Sequence, residues 1–101
     1  ALSKAGWRRV AVAAQGGLAR TIRPCHTPRD GDTVFALATG AVEVNPDPTT
    51  PASMSPEVPL LTEVGAAAAD CLARAVLVAL LAAESVAGIP TYRGLLPGAF
   101  E

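Results

Sequence analysis

Residues 66–83 read AAAADCLARAVLVALLAA, and only Asp70 and Arg74 among them are charged. Alanine and leucine are strong helix formers. The stretch therefore predicts a helix from Thr62 and Glu63 to about Ala87, with Gly88 as its stop and Pro90 just beyond. Such a helix is apolar nearly all round, so it has to be covered on more than one side. Asp70 and Arg74 stand four apart in the favourable acid-first order. An ion pair amid so much alanine does not suit a membrane span, so the expected setting is between a sheet and a neighbouring subunit. With 101 residues the chain is one domain at most. Half of it is hydrophobic yet only 4% is aromatic, so close packing of small side chains has to supply the core.

The first helix is expected from the N-cap Ser3 to about Ile22. Trp7, Val10, Ala11, Ala14, Leu18 and Ile22 form one apolar stripe at helical spacing, with Arg8, Arg9, Gln15 and Arg20 on the other side. Gly16-Gly17 costs roughly 1 kcal/mol per glycine against alanine inside a helix. Another backbone comes close there, or the helix bends, or the pair is simply a tolerated weak spot.

Pro24 ends that helix and begins the stretch RPCHTPRDGDTVFALATG, residues 23–40. Its first half is a packet of turn formers with Pro24, His26, Pro28, Asp30, Gly31 and Asp32. Its second half, 33–39, is apolar nearly throughout, as a strand covered on both faces is. Asp30 and Asp32 are two apart and share one side of an extended chain, and Gly31 leaves room for a ligand or another backbone. The same residues also suit an ordinary tight turn. Residues 41–44 extend the strand or open a loop. Residues 41–59 form a Pro/Thr-rich surface loop, with five prolines between Asn45 and Pro59.

Several function classes are disfavoured. A net charge of −1 makes no electrostatic case for nucleic acid, and Lys4, Arg8, Arg9, Arg20, Arg23 and Arg29 read as the solvated face of one helix and its exit turn. Cys25 and Cys71 match no zinc or redox spacing and are expected as buried free thiols. Asp30 and Asp32 lack the further ligands of a calcium loop, so no metal and no cofactor is expected. Phosphate-loop, GxSxG, HExxH and CxxC patterns do not occur. The opening residues resemble the start of a charged amphipathic helix rather than a secretory leader, so the expected location is cytoplasmic. The missing initiator methionine suggests a piece of a longer product.

The run GLARTIRPCHTPRDGDTVFALATG, residues 17–40, resembles the DmpA-type aminopeptidases, which include the nylon-oligomer hydrolases and the β-peptidyl aminopeptidases. Their counterpart reads HDGLARAIRP, then HT, DGDT and FALATG. Leu2-Ser3-Lys4 and Pro90-Thr91-Tyr92-Arg93 fit as well, while Gln15-Gly16 replaces the family's His-Asp.

The resemblance implies an α+β fold that is part of a four-layer αββα sandwich, with residues 1–101 as the C-terminal (β-subunit) portion and the remainder on a companion α piece. It further implies autocatalytic cleavage of one precursor, an N-terminal Ser or Thr nucleophile on the β piece, and oligomers of α/β pairs. Its substrates would be peptides or small amides. Asp30 and Asp32 match the Asp-x-Asp pair that supports the nucleophile in the nylon-hydrolase branch; the β-aminopeptidase branch has Ser-x-Glu there. The nucleophile itself would lie about ten residues before Ala1, one strand length upstream, and the chain alone would be inactive. The other reading is a non-catalytic helical interaction module.

Overall fold

The computed structural model describes residues 2–44 and 48–100. Two long helices, α1 (Lys4–Thr21) and α2 (Val58–Ala82), lie against each other, followed by the single turn α3 (Tyr92–Leu95) and a 3₁₀ turn, Pro97–Phe100. The Cα radius of gyration is 18.0 Å, against about 13 Å for a compact domain of this size. Among the described residues the buried apolar core is small, Val10, Ala14, Leu18 and Ala69 between the two long helices.

α1 begins where its sequence says it should. Ser3 is extended, and its hydroxyl accepts from the Gly6 N–H at 3.0 Å. At the other end the Ile22 N–H reaches the Leu18 carbonyl, and Ile22 has left helical geometry ahead of Pro24. Val10, Ala14 and Leu18 from the expected stripe are buried, while Ile22 at its end is exposed. Gly6 and Gly17 join the buried side.

α1 meets α2 backbone to backbone, and this settles the Gly16-Gly17 question. A Cβ on Gly17 would lie 2.4 Å from the Ala69 carbonyl oxygen and 2.9 Å from the Ala73 nitrogen. On the facing helix Gly65 and Ala69 are buried, and a Cβ on Gly65 would come 3.2 Å from that of Ala13. Small residues on both faces allow this approach, which is why a pair with so few large side chains still packs.

Four expectations about α2 are corrected. The helix starts at Val58 rather than Thr62: Pro59 falls in its first turn, where a missing N–H has no partner to lose. It ends at Ala82 rather than Ala87, and Ala83 is already extended. Gly88 is not its cap. Ala87 and Gly88 both have positive φ, 52° and 80°, in a two-residue turn closed by the Ile89 N–H on the Val86 carbonyl. Asp70 pairs with Arg20 of α1, not within its own helix. At this exposure the pair contributes little to stability.

The thiols are free but not both buried, since Cys25 is half-buried and Cys71 exposed. Outside the Gly65–Ala69 face α2 stands open, with Leu77, Val78, Leu80 and Leu81 all exposed. By length and composition alone it is apolar enough to cross a membrane, a description that the core helix of a soluble protein also meets.

No β-strand occurs among the described residues, and the one bridge is Val86 to Ile89. Residues 33–39, expected as a strand, run without a ladder, with Phe35 88% and Leu37 93% exposed. A strand is defined by its pairing, and no described segment forms a ladder with this one.

Candidate active site

The polar turn follows directly from how α1 ends. Arg23–Pro24 is a cis peptide, and His26 sits in the left-handed region at φ 55°, which histidine tolerates better than most residues. The chain then folds over Pro28 and Arg29. The Asp30 N–H donates to the Thr27 carbonyl at 2.9 Å, and the Thr27 N–H donates to Asp30 Oδ2 at 2.7 Å. Proline at the second position of a turn is preferred there, and the Asp30 side chain adds a second bond across it.

Asp30 thus has a structural task, which is to lock its own turn. A carboxylate has about four acceptor sites, so this bond does not exhaust it. Asp32 follows on exposed backbone. Between them a Cβ on Gly31 would meet nothing within 4 Å, so the space beside the two acids is open. Beyond the turn, residues 36–42 and Val44 lie near the N-terminal ends of α1 and α2. They frame an open hollow with Leu2, Trp7, Leu60 and Val64. His26 is exposed, and Cys25 beside it is half-buried. Asp30 closes the Thr27–Asp30 turn and Asp32 follows just beyond it, both exposed to solvent.

One constellation escapes a reading of local pattern. The Ser3 N–H donates to Glu57 Oε2 at 2.9 Å, and the Ser3 hydroxyl donates to Glu57 Oε1 at 2.8 Å. In a capping box the third helical residue is Glu or Gln and reaches back to the cap N–H. Here that residue is Gly6, and the carboxylate arrives from the other helix. A Cβ on Gly6 would come 3.2 Å from both Glu57 oxygens, so the glycine makes room for it. The Ser3 N–H, then its hydroxyl, hold the Glu57 carboxyl below the ordinary glutamate value. The sequence signal was a serine cap lacking its usual third-position acid.

Comparison with known proteins follows the same residues. The model of Peptidase family S58 matches residues 1–93. An uncharacterized aminopeptidase of Mycobacterium leprae is 74% identical over 99 residues, covering 98% of this chain and 27% of that protein. Uncharacterized aminopeptidases of Mycobacterium bovis and Mycobacterium tuberculosis are each 70% identical over 100 residues, covering 99% of this chain and 29% of theirs. The chain therefore spans less than a third of these relatives. No solved structure matches it.

Proposed function

This chain belongs to peptidase family S58, and from that premise we propose that it is the C-terminal part of a self-processing amide hydrolase of aminopeptidase type. Asp30 and Asp32 serve a hydroxyl nucleophile carried on a segment upstream of Ala1. The observation that carries this reading is the open turn within the matched residues, where two aspartates stand on either side of an unobstructed Gly31.

In this chemistry the N-terminal Ser or Thr hydroxyl attacks the amide carbonyl carbon, and the residue's own free amine takes the hydroxyl proton. An α-amine has a reference pKa near 8, so a usable neutral fraction exists at working pH. The C–N bond breaks, the leaving amine departs with that proton, and water then hydrolyses the ester left on the nucleophile. Two neighbouring carboxylates favour the ammonium form of the amine and orient the pair. The companion piece supplies the rest of the sandwich. It also covers residues 33–39 and the open face of α2, whose exposed Phe35, Leu37 and Leu77 suit a buried setting. The chain by itself is inactive, and the assembled enzyme is an oligomer of α/β pairs.

Substrate preference tests the aminopeptidase part. The complete protein should hydrolyse a dipeptide amide with a free N-terminus and act far more slowly on its N-acetylated counterpart. Equal rates on the two would remove the aminopeptidase assignment.

A further inference from the structure

Resting on the reading above, we propose that Glu57 is a positioning residue: through its two-point hold on Ser3 it fixes the direction in which the nucleophile-bearing segment joins the fold. The carboxylate takes both the N–H and the hydroxyl of Ser3, so it restrains the backbone as well as the side chain. Bonds to an ionised acceptor are about twice as strong as neutral ones. The carboxylate also lies at the positive end of α1, where negative charge is favoured.

Three features mark this contact as more than a helix cap. Glu57 stands at the head of α2 yet makes no side-chain cap bond to its own helix. Its bonds cross 54 residues of sequence to reach Ser3. At Gly6 a side chain would come within 3.2 Å of both carboxylate oxygens and shift them by a few tenths of an ångström. The tie at Ser3 adds to the contacts that α1 and α2 make along their length, the close approaches at Gly65 and Gly17 and the Arg20–Asp70 pair. It is the tie that lies where the upstream segment must enter. A nucleophile displaced by about 1 Å loses on the order of a hundredfold in rate, so the angle of the chain at Ser3 bears directly on turnover.

The experiment uses the complete protein and compares wild type with Glu57→Ala, Glu57→Gln and Gly6→Ala. Self-cleavage, kcat, KM and thermal unfolding are measured for each. Glu57→Ala should lower kcat and the self-cleavage rate about ten- to a hundredfold while KM stays within about twofold. Gly6→Ala should follow it, and Glu57→Gln, which keeps one acceptor oxygen, should lose less. A kcat that is unchanged per folded molecule, with only the melting temperature lowered, overturns the proposal. Should Glu57→Ala not fold, wild-type kcat in both remaining variants overturns it equally. A wild-type protein that neither cleaves itself nor hydrolyses amides removes the functional reading, and this inference with it; an active wild type beside fully active variants removes this inference alone.

Discussion

Asp32→Asn in the complete protein should lower amide turnover by about 10²- to 10³-fold, the usual loss when one preorganised charge partner of a reacting group is removed. Asn is close in shape and still polar, so the change isolates the negative charge. Asp32 is exposed, and the hydrogen bonds that close the turn belong to Asp30 and Thr27. Folding should therefore be little affected. Asp30→Asn should show a loss of similar size and keep the turn, because the amide oxygen still accepts from the Thr27 N–H. Asp30→Ala should lose that bond as well and loosen the segment between α1 and residue 33. The measurement is kcat together with the rate of self-cleavage, each against a melting curve. Wild-type rates for both asparagine variants would leave the two acids as turn formers and nothing more.

Gly17→Ala should destabilise the protein while Gly16→Ala stabilises it, although the two glycines are neighbours in one helix. Each change gains roughly 1 kcal/mol of helix propensity. At Gly16 the new methyl meets only the Ala69 Cβ at 3.9 Å, an ordinary contact. At Gly17 it would sit 2.4 Å from the Ala69 carbonyl oxygen and 2.9 Å from the Leu72 Cβ. The first of these is backbone and cannot swing away, so the helices have to separate. Overpacking of this kind costs typically about 1–3 kcal/mol, which exceeds the propensity gain over most of its range. Gly17→Leu should be worse still. Thermal unfolding of the complete protein reads the signs, and a higher melting temperature for Gly17→Ala would contradict the helix crossing.

What the sequence made legible is local. Ser3 and Pro24 mark the ends of α1 because a cap and a breaker act on their own neighbours. The apolar stripe located Val10, Ala14 and Leu18 on the buried face. The ends of α2 differ from the sequence expectation for a related reason: Pro59 and Gly88 are punctuation whose meaning depends on where the helix already is. A proline is harmless in a first turn, and a glycine past the helix serves the next turn instead. Gly16 and Gly17 are identical in sequence and differ only in what faces them, which no pattern in α1 discloses. The Ser3–Glu57 tie depends on the chain's return 54 residues later. Residues 33–39 have the composition of a buried strand, but the pairing that would make them one needs a partner segment that the described residues do not provide. For Asp30 and Asp32, turn chemistry was legible from residue types, and the case for catalysis came from the run of residues around them.

The most direct measurement is the intact mass and N-terminal residue of every chain present when the complete protein is purified. The account predicts two chains from one precursor, the smaller beginning with Ser or Thr about one strand length, roughly ten residues, before Ala1. A single uncut chain that still hydrolyses amides, or a smaller chain that begins with any other residue, would contradict it.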